Sequence, residues 1–266
     1  MTVRTLDDVF TFLRTNEPDP AAIYTALTPV YETIYATRDR ADGQFETVVR
    51  SIPLDTTAVL EVGCGTGTLL ARLGDAFDRT VGADVSPGMV HRTRDRTGAG
   101  VVIGSVDAFL PGSFDAVVMM GAVLGHVRPD AAARTMLNET HDRLRSGGRF
   151  VCGVHDRSAL ADPTSRELTA KTADYCVLQR DRQRPIGGGV FEWTVEYVLT
   201  SRETGESVSV EQRVPIRAFG RDELAEWFRA AGFRDVRTDD RTFVKEERRS
   251  RAFVITATAG PSDRAR

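Results

Sequence analysis

The chain has 266 residues, of which 41% are hydrophobic and 27% charged, and a formal net charge of −3. That length buries a sizeable core, and the composition is that of a soluble globular protein, which excludes the disordered and fibrous classes. The slightly negative balance gives no general attraction to nucleic acid, no apolar run approaches a membrane span, and no signal-peptide pattern opens the chain, so a cytoplasmic protein without nucleic-acid or membrane partners is expected.

Residues 1–52 read as helical. Leu6, Val9, Phe10 and Leu13 form one apolar face, and Pro18 and Pro20 interrupt it. A second helix is expected from about Ala21 to Arg38, bent near Pro29, with Tyr24, Tyr31 and Tyr35 on one face. These tyrosines either pack the helix on the core or cap a ligand pocket. A third helix, Phe45 to Ile52, leads into the first strand.

Ala58 to Leu70 reads A-V-L-E-V-G-C-G-T-G-T-L-L. A short apolar run is followed by Gly63, Gly65 and Gly67 and then by a helix from Leu69, capped by Thr66 or Thr68. Strand, glycine turn and helix is the geometry that lets a backbone approach a bound nucleotide closely. A dinucleotide site needs G-x-G-x-x-G, whereas the spacing here is G-x-G-x-G and Glu61 precedes the glycines. A carboxylate at the turn repels a pyrophosphate and suits a ligand with a cationic end, such as S-adenosyl-L-methionine.

From there strands and helices alternate, which predicts a parallel sheet with helices on both faces. Thr80 to Ala83 is a strand ending at Asp84, which lies 21 positions after Gly63, about where such folds place a ribose-binding carboxylate. Ser86-Pro87 starts a helix with Val85 just before it and Met89 on its first turn. Gly100 to Ile103 is a third strand, followed by Asp107 and Ala108 in a loop. Phe114 to Met120 is almost wholly apolar and therefore central, and it opens into G-A-V-L-G-H-V, where His126 falls just beyond the strand's carboxyl end. A helix over Ala131–Leu144 ends at Ser146-Gly147-Gly148, and Arg149 to Val154 is a fifth strand. Residues 157–189 show no clear period. Phe191–Thr200 and Ser207–Ile216 alternate apolar with polar around E-T-G-E and read as an antiparallel hairpin. A helix over Arg221–Ala231 capped by Gly232, a strand over Phe233–Thr238 and a last strand over Ala252–Thr258 complete the chain. Cys64, Cys152 and Cys176 lack the spacing of a zinc site or a disulfide framework, and no metal is expected.

With E-V-G-C-G-T-G, Asp84, Asp107, F-D-A-V-V-M-M-G-A-V-L-G-H-V and L-R-S-G-G-R-F-V in these places, the chain resembles class I S-adenosylmethionine-dependent methyltransferases along nearly its whole length. V-Y-E-T-I-Y, the G-H after strand four and V-P-I-R-A-F before a helix make it similar to the branch that methylates amino groups of nucleotide-linked deoxysugars. The resemblance implies a doubly wound, seven-stranded, mostly parallel sheet with its last strand antiparallel. It implies cofactor contacts from Tyr31, Glu61, Gly63, Cys64, Gly65, Gly67, Asp84, Val85, Met89, Asp107, Ala108 and Met120, and it places His126 and Tyr24 near the substrate amine. The branch's tryptophan pair after strand five is here His155-Asp156-Arg157, and its glycine-rich turn before the last strand is Glu246-Glu247-Arg248-Arg249-Ser250.

The expected organisation is an N-terminal helical cap over 1–52, a cofactor-binding core over 53–156 and 218–260, and an inserted lid with the hairpin over 157–217. The expected function is methyl transfer to an N or O atom of a small-molecule acceptor, N preferred, and a homodimer is compatible with the pattern. The alternatives are a non-catalytic S-adenosylmethionine-binding regulatory module and a nicotinamide-dependent oxidoreductase.

Overall fold

The computed structural model describes residues 4–15, 23–35, 38–160, 163–239 and 252–261. The N-terminal apolar stripe forms α1 (Leu6–Thr15). The expected second helix is divided into α2 (Ile23–Ala26) and α3 (Thr28–Tyr35). Pro29 opposes an uninterrupted helix but is tolerated in a first turn, so the chain breaks at Leu27 and restarts with Pro29 near the start of α3. The third helix, α4 (Arg38–Ser51), is longer than its apolar residues suggest.

The alternating part of the chain runs β1 (Ala58–Val62), α5 (Thr68–Gly74), β2 (Arg79–Asp84), α6 (Pro87–Arg96), β3 (Gly100–Ile103), β4 (Phe114–Met119), α7 (Val123–His126), α8 (Asp130–Arg143) and β5 (Leu144–His155). Four further strands follow, β6 (Thr164–Lys171), β7 (Tyr175–Gly187), β8 (Val190–Ser201) and β9 (Ser207–Arg217), and then α9 (Arg221–Ala230), β10 (Phe233–Asp239) and β11 (Ala252–Ala259).

The main sheet has the order β10-β11-β5-β4-β1-β2-β3. Strands β3, β2, β1, β4 and β5 are parallel, and β11 is antiparallel to both its neighbours. The chain builds outward from β1 to β3 and then crosses to β4 on the other side of β1. The carboxyl ends of β1 and β4 therefore form the switch point at which such sheets bind ligands. Every residue of β1 is buried, as expected of a central strand covered on both faces. Leu60 and Val62 pack with Val117, Met119 and Phe150 on one face. Val59 packs with Val118, Met120, Leu69 and Val48 of α4 on the other.

Three local expectations are corrected. Neither Thr66 nor Thr68 caps α5; Gly67, left-handed at φ 77°, takes the cap position without a side-chain bond. Gly147 and Gly148 do not stop α8, because the chain enters β5 directly at Leu144. They lie where β5 slips register against β4, and a Cβ at Gly148 would come within 2.8 Å of the Arg145 carbonyl. The expected hairpin is half of a four-stranded antiparallel sheet, β6-β7-β8-β9. Strand β7 was illegible because its inward positions include Gln179 and Asp181, so the apolar alternation fails although the burial alternation holds. The loop Glu246–Ser250 lies outside the described residues.

The small sheet is fastened at both ends. Tyr175, Val177, Val195, Tyr197 and Leu199 pack on Val9, Phe10, Leu27 and Val30 of the N-terminal helices. The Tyr175 hydroxyl donates to Asp7 Oδ1 at 2.6 Å. At the other end Arg217 is 5% exposed. It donates to both oxygens of Asp130 at 3.1 and 3.3 Å and to Glu223 Oε1 at 2.6 Å, joining β9 to α8 and α9. Removing it leaves Asp130, whose side chain is 53% exposed, able to rehydrate. The expected loss for Arg217→Ala is thus about 1.5–3 kcal/mol, the worth of charged hydrogen bonds, and not the larger cost of an uncompensated buried charge. A lower urea midpoint at unchanged slope, the shift multiplied by the slope giving that loss, checks it.

Candidate functional site

The glycine turn between β1 and α5 is shaped by its neighbours. The N–H groups of Gly63 and Cys64 donate to the Ala83 carbonyl at 2.7 and 3.1 Å, which ties the turn to β2. The Gly65 N–H donates to Asp84 Oδ2 at 2.9 Å, and the Gly65 carbonyl accepts from the Thr93 hydroxyl at 2.6 Å. Gly63 is left-handed at φ 71°, and a Cβ there would lie 2.3 Å from a methyl of Val123, so α7 closes directly over the turn. Gly65 is left-handed at φ 56°, but a Cβ there would meet nothing within 4 Å. That side of the turn is open.

It opens into a recess lined by Tyr31, Gln44, Glu61, Leu69, Met120 and Gly121 with the turn residues Gly63 to Thr66 and Thr68. Glu61 is 4% exposed. Its Oε2 is fully buried and has no hydrogen-bond partner among the described residues. Burial, reinforced by the nearby Asp84 charge, pushes the Glu61 carboxyl well above the usual carboxylate range. Asp84 is raised as well by burial, although the amides of Ser86 and Gly65 donate to its carboxylate at 2.9 Å each and oppose the rise. Burial also pushes the Cys64 thiol up, so it is no nucleophile. An unsatisfied carboxyl group in the recess, with a second one bonded to its wall, calls for a ligand that brings hydrogen-bond donors and positive charge.

The ligand-site residues expected from the sequence divide into two groups. Tyr31, Glu61, Gly63, Cys64, Gly65 and Met120 line the recess, with Asp84 bonded to its wall. Gly67 turns the chain into α5. The others follow the ends of β2 and β3. Val85 is 76% exposed, and Ile103, paired with Asp84 across the β2–β3 register, is 53% exposed. Two uncovered apolar side chains beside Asp84 suit a flat ring. Asp107 and Ala108 are exposed in the turn after β3, and Met89, on the first turn of α6, is buried. Sequence reasoning missed Gln44, Thr66, Thr68, Leu69, Gly121 and Ile103. Gln44 carried a signal, since it is the polar member of the buried α4 stripe that includes Ala41 and Val48.

The N-terminal helices are held near this site. Glu32 of α3 pairs with Arg92 and Arg96 of α6. A Cβ at Gly88 would lie 2.8 Å from the backbone of Thr25, so α2 also rests on α6. Tyr24 lies in α2, but its side chain is outside the described residues. His126 ends α7, one turn after Val123. It does not line the recess. Its imidazole is solvent-accessible, yet the surrounding protein lowers its pKa below the usual imidazole value by desolvation.

Residues 59–148 match the methyltransferase domain family. The 18S rRNA (guanine-N(7))-methyltransferase of Bos taurus is 42% identical over 112 residues, which are 38% of this chain and 40% of that protein. The chain thus spans less than half of that relative. The S-adenosylmethionine-bound amino pentose methyltransferase CalS10 of Micromonospora echinaspora superposes with a TM-score of 0.70 at 21% identity, over 84% of this chain and 91% of its own. The sugar N-methyltransferase KedS8 of a Streptoalloteichus species superposes with a TM-score of 0.69 at 20% identity, over 84% and 87%. The fold is that of class I methyltransferases, and residues 59–148 are the methyltransferase domain of an S-adenosylmethionine-dependent enzyme. The chemistry of the recess suits S-adenosylmethionine, whose ammonium and sulfonium would answer the unpartnered Glu61 carboxyl.

Two outcomes are expected. Asp84→Ala removes the acceptor that holds Gly65 and weakens S-adenosylmethionine binding in calorimetry by about 1.5–3 kcal/mol; wild-type affinity would take Asp84 out of the site. The second concerns Glu61. Its folded-state pKa is raised, so between the ordinary carboxylate range and that raised value the folded protein holds a proton that the unfolded chain releases. Stability of the ligand-free protein therefore falls as pH rises through this window. Glu61→Gln should remove that component and melt higher than wild type at pH 7, as compared by thermal unfolding between pH 5 and 8.

Proposed function

We propose that this enzyme methylates an amine nitrogen of a small hydroxylated molecule of the amino-sugar class. The observation that carries the reading is His126, an accessible imidazole with a lowered pKa, on the helix whose first residue covers the glycine turn. The two sugar methyltransferases support it, since the likeness extends over most of this chain, beyond the methyltransferase domain.

Residues 53–156 and 218–260 would form the cofactor core. Glu61, Asp84 and the glycine turn would hold the cofactor, with Tyr31 above it. The N-terminal helices and the small sheet, which are outside the alternating core, would cover the acceptor and exclude water. S-adenosylmethionine supplies an electrophilic methyl group on a sulfonium. The chain must present an uncharged amine in line with it, so positioning carries most of the catalysis. His126 remains neutral near pH 7 and can take the proton that the amine loses, or orient the amine by a hydrogen bond. Tyr24 is the second candidate for that contact.

A second reading follows from the 42% identity to the rRNA methyltransferase over part of the chain. The net charge of −3 opposes it, because RNA binding draws on a basic surface. Methylation of a nucleotide-linked amino-hexose in preference to ribosomal RNA decides between them.

If His126 is the proton acceptor, His126→Ala lowers single-turnover methyl transfer to that amino-hexose by roughly 10²–10⁴-fold, with cofactor affinity retained. The wild-type rate should stay flat near neutrality and fall only on the acid side, below the usual imidazole pKa, as the ring protonates. An orienting role gives a smaller loss that His126→Asn largely restores. A near wild-type rate for His126→Ala removes the residue from the mechanism.

A further inference from the structure

The recess has two walls with different attachments. Gln44 lies on α4, whose Val48 packs on the main sheet with Val59 and Val118. Tyr31 lies on α3. The buried apolar residues beside it, Leu27 and Val30, pack instead with Val177, Val195 and Leu199 of the small sheet. A seam between the core and the N-terminal helices therefore crosses the recess. It runs along α6, which Val90 anchors to Leu70 and Val101 of the core.

The seam itself is polar. Glu32 accepts from Arg92 Nε at 2.6 Å and from Arg96 Nη2. The Thr25 and Ser86 hydroxyls lie 3.2 Å apart. Gly88 lets α2 come down on α6, because a Cβ there would lie 2.8 Å from Thr25 Cα. Arg96 reaches both sides, since its Nε donates at 2.8 Å to the carbonyl of Thr66, a recess residue of the glycine turn. The charges are only partly shielded: the Glu32 side chain is 13% exposed and those of Arg92 and Arg96 are 45% and 34%. Parting such a group lets water take every member, whereas parting apolar surfaces exposes them. The seam is thus the separable contact, and the apolar packing on either side of it is not.

We infer that Arg96 is a positioning residue for the cofactor and that the α3–α6 seam is the gate by which cofactor enters and leaves. The planar guanidinium holds the glycine turn with one N–H. With another it latches, through Glu32, the helix that carries Tyr31 over the recess. The N-terminal helices move with the small sheet on which they pack, and Arg217 retains that sheet at its far end. Gating of the cofactor is independent of which acceptor is methylated.

Release of tritiated S-adenosylhomocysteine from the full-length protein, chased with unlabelled ligand, is timed by rapid filtration. Glu32→Gln keeps the shape of the side chain and removes its charge. It should speed release roughly three- to tenfold, the range for a partly exposed ion pair with its charged hydrogen bonds. Wild-type release should quicken between about 0.05 and about 0.5 M salt, as partly exposed charges are screened, and release from Glu32→Gln should stay nearly flat. Gly88→Ala favours the α6 helix but props α2 away from it, so it should also speed release, and it decides the matter if Glu32→Gln does not fold. Glu192→Gln is the control, since it breaks the pair with Arg184 inside the small sheet and should keep the wild-type rate and salt dependence. Wild-type release from both Glu32→Gln and Gly88→Ala overturns the inference. So does a Glu192→Gln protein that releases ligand as fast as Glu32→Gln, because general loosening would then account for the effect.

Discussion

Two carboxyl groups, Glu61 and Asp84, stand at the carboxyl ends of adjacent parallel strands, Glu61 in the recess and Asp84 bonded to its wall, and the local structure answers to them. Asp84 takes backbone amides from Gly65 and Ser86, and in doing so sets the open glycine turn and the start of α6. Glu61 takes nothing that the described chain supplies to its buried oxygen. A carboxyl group in that position is tolerable when protonated or when a cation joins it, which makes the recess selective for a ligand with a positive end. The same arrangement argues against a pyrophosphate, which would add negative charge beside two acids.

Around this recess the molecule is built from two sheets. The main sheet, closed on both faces by apolar clusters, gives the turn a rigid base. The small sheet has a different construction, an apolar inner face into which the hydrogen-bonded Gln179, Asp181 and Arg166 are built. It is linked to the rest through the N-terminal helices on one side and through Arg217 and α7 on the other. The short helix α7 touches both parts, since Val123 covers the glycine turn and Gly125 rests on β9. His126 ends that helix.

The main-sheet strands were legible because central parallel strands must be apolar on both faces, and Ala58–Val62 and Phe114–Met119 are nearly uninterrupted runs. The turn was legible because the spacing of three glycines around an acid admits few backbone paths. Helix starts marked by Ser86-Pro87 agreed with the structure, since a cap and a first-turn proline are local chemistry. Where a boundary depended on a neighbour, local signals failed. Gly147 and Gly148 resemble a helix stop, yet they serve a register slip between β4 and β5.

The sequence by itself determined the seven strands of the main sheet and the acid–glycine–acid arrangement at the end of the first two, and hence the charge of ligand that the turn suits. These follow from residues close in the chain, where sterics and hydropathy act over one turn or one pleat. Tertiary structure alone decided that residues 164–171 and 175–187 are strands, that Gln44 and Glu61 line one recess, and that Gln179, Asp181 and Gln212 are buried on one face of the small sheet. Those outcomes depend on which elements pack together, and a polar residue buried by packing has the same letter as one exposed to water.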